Sequence, residues 1–261
     1  MEPKVCERPI GVFDSGVGGI SILRELVREL PHEDFVFYGD SAHAPYGEKT
    51  SEEVVSLTSD VAQKLLDMGC KALVIACNTA TSAAAPVLRK TYSHMPIVGV
   101  EPALKPAVLA KHHGKVLVMA TPMTVRLEKF QKLLRTWGSE EDVVAVPCGG
   151  LAARIEQGNV DAPDVVALID SLVGAYAGRV DTVVLGCTHY PFVREQIREV
   201  LGDVAFFDSA QGTARQLRRR LSSAQKLNNT QAQGRVEFFS SKDTKEELAL
   251  YRQFFEWSKT L

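Results

Sequence analysis

Leu73-Val74-Ile75-Ala76-Cys77-Asn78-Thr79 and Val183-Val184-Leu185-Gly186-Cys187-Thr188-His189 decide the fold. A shift of 110 residues superposes them, each an apolar run that ends in a cysteine and two polar residues. Runs this short, closed by polar punctuation, read as strands buried on both faces. Their recurrence reads as a duplication, so the two cysteines occupy equivalent positions in two similar halves.

Working outward, the first half shows a strand–helix rhythm. Strands are expected at Ile10 to Phe13, Phe35 to Tyr38, Leu73 to Ala76 and Ile97 to Val100. Between them, Ile20, Leu23, Leu26, Val27 and Leu30 recur at helical spacing, and Thr50 with Glu53 forms a capping-box pair. The rhythm restarts with Val116 to Ala120, Val143 to Val146, Val183 to Gly186 and Val204 to Phe207. A shift of 106 residues sets Val12-Phe13-Asp14-Ser15 over Val118-Met119-Ala120-Thr121, with the acid absent from the second copy. After Ala210 follow a helix, a polar loop from Gln225 to Gly234, a strand at Val236 to Phe239 and a closing helix bearing Leu248, Tyr251, Phe254 and Phe255. The expected architecture is α/β: two similar lobes with parallel-rich central sheets related by pseudo-twofold symmetry and a cleft between them. Residues 1–99 plus 211–261 would form the first lobe and 100–210 the second.

The totals bound the function. The chain has 261 residues, 45% of them hydrophobic, with a formal charge of −2 and a pI near 6.3. That balance offers no excess positive charge for phosphates, so no nucleic-acid partner is expected, and Arg218-Arg219-Arg220 reads as a solvated helix face. Met1-Glu2-Pro3-Lys4 carries no apolar targeting core, and Leu73 to Ala76 is far too short to span a bilayer. A cytoplasmic protein without a membrane partner is the expectation. Five cysteines, Cys6, Cys70, Cys77, Cys148 and Cys187, make an odd set without close pairs, which fits neither a disulfide framework nor a zinc ribbon.

In open α/β sheets ligands bind beyond the carboxyl ends of the strands, where Cys77 and Cys187 fall. Two thiols facing a small ligand from opposite sides suit a stereoinversion: one thiolate removes a proton from one face of a carbon, and the other thiol returns one to the opposite face. A free thiol, with a pKa of about 8.5, needs neighbours that favour ionisation. Asp14, ending the first strand, and His189, two residues past Cys187, are the candidates. Buried small hydrophobes are the ordinary fate of lone strand cysteines, and a lone histidine is commonly structural; the repeat register argues otherwise for both. Cys6, Cys70 and Cys148 have no counterpart under either shift and receive no role.

Asp14-Ser15-Gly16-Val17-Gly18-Gly19 joins a strand to a helix, where backbone N–H groups can hold a substrate carboxylate while Asp14 meets a cationic amino group. A dinucleotide fingerprint with Asp40 as the ribose acid is discounted, because Ser21 stands where the last glycine belongs and Asp14 would repel a pyrophosphate. Ala44-Pro45-Tyr46-Gly47 could cover the cleft, and Asn78, Thr79, Thr121 and Thr188 supply neutral hydrogen-bonding groups at strand ends.

Gly11-Val12-Phe13-Asp14-Ser15-Gly16-Val17-Gly18-Gly19, Pro45-Tyr46-Gly47, Ala76-Cys77-Asn78-Thr79-Ala80 and Gly186-Cys187-Thr188-His189-Tyr190-Pro191, in this order, resemble the glutamate racemases of bacterial cell-wall synthesis. The cysteine motifs alone suggest only the wider aspartate/glutamate racemase superfamily. The resemblance implies a two-lobed fold without pyridoxal phosphate, metal or nucleotide cofactor, and a small-molecule substrate, L- or D-glutamate. It implies that Cys77 acts on D-glutamate and Cys187 on L-glutamate. Substrate contacts would fall on Asp14, Ser15, Tyr46, Gly47, Asn78, Thr79, Thr188 and His189, with Glu156 supporting the histidine. A homodimer is likewise a family expectation. Some members carry a longer N-terminal extension and answer to a cell-wall precursor; nine residues precede the first strand here, which argues against such activation.

Other readings are a racemase for aspartate or another small acid, and a Cys187–His189 hydrolase that leaves Cys77 idle. A binding protein that closes on glutamate without turnover is a third. Ligand count alone also allows a zinc site from Cys77, Cys148, Cys187 and His189.

Overall fold

A computed structural model describes residues 4–110, 115–138 and 142–257, so Met1 to Pro3 of the leading tetrapeptide lie outside it. The first half runs β1 (Ile10–Asp14), α1 (Ile20–Glu29), β2 (Phe35–Gly39), α2 (Ser51–Asp67), β3 (Ala72–Ile75), α3 (Asn78–Thr91) and β4 (Ile97–Gly99). The second runs α4 (Leu104–Leu109), β5 (Lys115–Ala120), α5 (Pro122–Arg126), α6 (Glu128–Trp137), β6 (Val143–Pro147), α7 (Leu151–Ile155), α8 (Pro163–Val173), β7 (Val180–Leu185), α9 (Arg194–Leu201) and β8 (Ala205–Phe207). The chain then returns through α10 (Ala210–Ser223), β9 (Val236–Ser240) and α11 (Lys245–Phe255).

Among the described residues two sheets form, β4-β3-β1-β2-β9 and β6-β5-β7-β8, and every strand pair in them is parallel. Matching β1, β2, β3 and β4 to β5, β6, β7 and β8 makes the two orders identical, with β9 added at the edge beside β2. The duplication read from the cysteine motifs is thus present in the topology. Each catalytic candidate lies two residues beyond its strand, Cys77 after β3 and Cys187 after β7. The strands expected at Leu73 to Ala76 and Val204 to Phe207 shift by one residue or shorten, and the one expected from Val183 begins at Val180.

Alternation along the strands divides the core. Val12 and Val74 join a cluster that continues through Leu117, Val183 and Leu185 and includes Ile20, Leu23 and Leu26 of α1. Phe13 and Ile75 face the other way, toward Val54, Val61 and Leu65 of α2. The outer face of the second sheet buries Val116, Val118 and Val184 against Leu104 and Phe130. One apolar cluster therefore runs between the lobes, while each sheet keeps a cover of its own.

Helix starts follow the local chemistry. Glu53 N–H donates to Thr50 Oγ1 at 3.2 Å and Thr50 N–H to Glu53 Oε2 at 2.9 Å, the reciprocal pair expected for α2. Thr121 caps α5 by accepting from Thr124 N–H at 3.2 Å, with Pro122 at the first helical position. Arg218, Arg219 and Arg220 form an exposed face of α10, as read from the sequence. Among the described residues no helix is long and apolar enough to cross a membrane.

Candidate active site

The carboxyl ends of β1, β3, β5 and β7 converge, and the residues beyond them meet across the lobes. Asp14 is wholly buried. Its Oδ1 accepts from Thr188 Oγ1 at 3.3 Å and its Oδ2 from Gly16 N–H at 3.2 Å. Ser21 Oγ of α1 donates to Thr188 O at 2.8 Å, a second bond to the Cys187 loop beside that made by Asp14 of β1. Burial drives the Asp14 carboxyl up from 3.8 to about 6; Glu156 adds to the rise, while His189 and the N–H groups of Gly19 and Gly16 oppose it.

Cys77 and Cys187 are each 6% exposed. Cys77 caps α3: Ala80 N–H donates to its Sγ at 3.4 Å, and its thiol lies 3.8 Å from Ser15 Oγ. Burial first, then the negative charge of Asp14 and that of Cys187, hold Cys77 well above the ordinary thiol range, against the Ala80 and Ser15 bonds. The influence of Cys187 on Cys77 places the two sulfurs in one electrostatic neighbourhood. Asp14 acts on Cys77 through its charge, and the hydroxyl that touches the sulfur belongs to Ser15.

At the second cysteine, His189 Nδ1 lies 3.6 Å from Cys187 Sγ. The opposite ring nitrogen, Nε2, is in short contact with Glu156 Oε1, which also accepts from Val17 N–H at 2.9 Å. Burial works against a charged imidazole, but the Cys187 sulfur and the Glu156 carboxylate outweigh it and raise the His189 pKa well above its ordinary value. Glu156, which the residue pattern did not single out and only the resemblance supplied, is therefore part of the cluster. It sits just past α7, and no local spacing marks it.

The glycine loop departs from expectation. Its N–H groups were expected to hold a substrate carboxylate, but those of Gly16 and Gly19 serve Asp14 and that of Val17 serves Glu156. The loop is an anion nest filled by the protein's own carboxylates. A methyl group on Gly16 would fall 1.9 Å from Glu156 Oε1, and one on Gly18 would fall 2.3 Å from His189 Nδ1. These two glycines are needed for the close approach of the pair opposite.

Several of the neutral candidates contact one another. Thr79 Oγ1 lies 3.1 Å from Thr121 Oγ1 and 3.2 Å from Thr124 Oγ1, and Thr121 donates to Thr124 at 2.9 Å, so three hydroxyls join α3 to α5. Gly47 abuts Thr121, whose Cβ would be 2.7 Å from an added methyl. Tyr46, fully buried, donates to Asp40 Oδ2 at 2.6 Å. Asn78 is 4% exposed, yet neither polar atom of its side chain has a partner among the described residues. An unpaired buried amide costs about 1–3 kcal/mol, so Asn78 keeps hydrogen-bonding capacity that the described residues leave unused.

Among the described residues no group of three or more His, Cys, Asp or Glu side chains is arranged to hold a metal, so the zinc alternative lacks a converged ligand set. Cys148 turns away, its thiol donating to Val146 O at 3.5 Å. A cavity of about 930 Å³ is lined by Cys187 and Thr188 and runs past Glu101, Lys105, Asp208 and Arg219, where the chain crosses between lobes. Neither Cys77 nor Asn78 lines it.

Comparison with known proteins agrees with this geometry. The family model described as Asp/Glu/Hydantoin racemase matches residues 10–217. A glutamate racemase of Clostridium perfringens is 43% identical over 258 residues, which cover 98% of this chain and 99% of the relative. The glutamate racemase of Thermus thermophilus, solved with beta-chloro-D-alanine, has a TM-score of 0.82 and 36% identity, covering 97% of this chain and 95% of that one. That of Francisella tularensis, solved with D-glutamate, has a TM-score of 0.82 and 29% identity over 96% of this chain and 94% of its own. With two buried thiols at matching strand ends and relatives of this kind over nearly its whole length, the chain belongs to the Asp/Glu/Hydantoin racemase family and is an isomerase.

Proposed function

We propose that this protein is a cofactor-independent glutamate racemase that interconverts L- and D-glutamate by a two-cysteine 1,1-proton transfer. The observation that carries the reading is the equivalence of Cys77 and Cys187, one beyond β3 and the other beyond β7 in sheets of the same strand order. The glutamate bound to the Francisella relative supports the substrate class. Residues 1–99 with 211–261 make the first lobe of this reading and 100–210 the second.

With L-glutamate, Cys187 thiolate takes the α-proton, the C–H electron pair stays on Cα beside the carboxylate, and the Cys77 thiol delivers its proton to the opposite face. The Cys77 sulfur is then the thiolate, poised for D-glutamate and the reverse reaction. His189 and Glu156 serve Cys187; Ser15, Asp14 and the Ala80 N–H serve Cys77. One sulfur works as the thiolate and the other as the thiol, and the two exchange these roles with the direction of the reaction. Asn78, Thr79, Thr121 and Thr188 hold carboxylate oxygens, Asp14 meets the amino group, and Tyr46 with Gly47 closes over the side chain. A buried, preorganised set of donors is what a carbanion needs when no cofactor spreads its charge. Supply of D-glutamate to peptidoglycan, a cytoplasmic location and a homodimer belong to the same reading.

The test is proton NMR of L-glutamate with the purified protein in D₂O and a reducing agent, without added cofactor, alongside optical rotation. Loss of the α-proton signal together with decay of rotation is the expected result. No exchange over a long incubation removes glutamate as the substrate and moves the search to aspartate, then to a binding protein.

A further inference from the structure

The loop that carries Tyr46 and Gly47 is gripped from behind by the last helix of the chain. Tyr251 of α11 is fully buried, with its hydroxyl 2.6 Å from Ser41 Oγ and donating to Ser240 Oγ at 3.2 Å. Its ring stands edge-on to Phe37 of β2, with centroids 5.4 Å apart. The hydroxyl presses so close to Gly39 that a methyl there would fall 2.0 Å from it. Ser241 adds two bonds, its N–H to Gly39 O at 3.0 Å and its Oγ from Ala42 N–H at 2.9 Å. On the site side of the same corner, Asp40 accepts from the Tyr46 hydroxyl at 2.6 Å and lies 2.9 Å from His43 Nδ1.

We propose that Tyr251 is a positioning residue for substrate binding: by holding the Gly39–Ser41 corner it sets Asp40, and through Asp40 it sets Tyr46 and Gly47 over the cleft. The proposal rests on the reading of Tyr46 and Gly47 as substrate contacts given above. It assigns the C-terminal segment, which in sequence lies beyond both cysteines, a part in affinity as well as in completing the first sheet. The ring of Tyr251 fills the core, while its hydroxyl ties Ser41 of the corner to Ser240 of β9. A loop without that anchor samples more conformations, and the substrate must then order it on binding.

Tyr251→Phe keeps the ring and removes the two hydroxyl contacts; Ser41→Ala removes one of them from the other side. Both are measured for KM and kcat with glutamate in each direction, for thermal midpoint, and for amide hydrogen exchange across residues 39–48. The expectation for Tyr251→Phe is a KM raised by about 5- to 10-fold, as one buried hydrogen bond implies, with kcat changed by no more than about twofold. Exchange over 40–47 accelerates while β1 and β3 stay protected, and the double variant is no worse than the more affected single one, because both remove the same contact. A lowered midpoint with unchanged KM and unchanged loop exchange makes Tyr251 a core residue only and overturns the proposal, as does a fully additive double variant. If the parent protein does not turn over glutamate, the racemase reading falls, and the exchange comparison still decides whether Tyr251 anchors the loop.

Discussion

Replacing Asp14 with Asn removes a buried charge that works against the fold, so the variant should be inactive and, at neutral pH, more stable than the parent. Asp14 is wholly buried and its carboxyl is raised from 3.8 to about 6, with burial the largest cause. The folded protein therefore binds this proton more tightly than the unfolded chain. The stability linked to it is present in full below 3.8 and lost as pH rises through about 6. The burden on the parent is about 3 kcal/mol at pH 7.5 and about 1 kcal/mol at pH 4.5. The amide turns an NH₂ toward one of the donors at Thr188 and Gly16, at a pH-independent expense of about 1 kcal/mol. The Asn variant should thus gain about 2 kcal/mol over the parent at pH 7.5 and be close to it at pH 4.5. The assay is guanidinium unfolding of both proteins at the two pH values and one ionic strength, where the titration of groups remote from Asp14 cancels in the difference. Turnover should fall by about 100-fold or more. A stability difference that is the same at both pH values would refute the reasoning, because it would mean that Asp14 carries no burial penalty.

Cys77→Ser and Cys187→Ser should each cut racemisation by about a thousandfold or more while D-glutamate affinity, read by calorimetry, stays within about threefold; turnover surviving in either removes the two-base scheme. Glu156→Gln removes one of the groups that hold the His189 imidazolium, so the imidazole titration followed by NMR should move down and kcat should drop by roughly tenfold. An unchanged His189 titration would assign Glu156 to the Val17 N–H alone. Gly18→Ala sets a methyl 2.3 Å from His189 Nδ1; relief of that clash by a shifted imidazole should lower turnover by at least about tenfold, and full activity would mean that His189 need not face Cys187.

The central strands were legible because a parallel strand buried on both faces reads as a short apolar run closed by polar residues. Ile10 to Phe13, Phe35 to Tyr38 and Val236 to Phe239 sit within the strands seen, and Thr50 with Glu53 opens α2 as their spacing requires. Both cysteines could be paired from the sequence because a duplication keeps register, and register is a property of neighbours along the chain. Asp40 shows where that reasoning stops: it was weighed as a ribose acid and set aside, while its contact with Tyr46, only six residues on, depends on a turn whose shape is imposed from α11.

Amino-acid order by itself determined the α/β class, the two halves and the position of each thiol beyond its strand, since these follow from periods of a few residues and from one repeat. Tertiary structure alone decided how the groups around the thiols pair with one another. Glu156 meets His189 across 33 residues, Val17 meets Glu156 across 139, and Thr188 meets Asp14 across 174. No local pattern encodes such pairs, because each forms only when two separately wound sheets bring their strand ends together and exclude the water that would otherwise satisfy those polar groups.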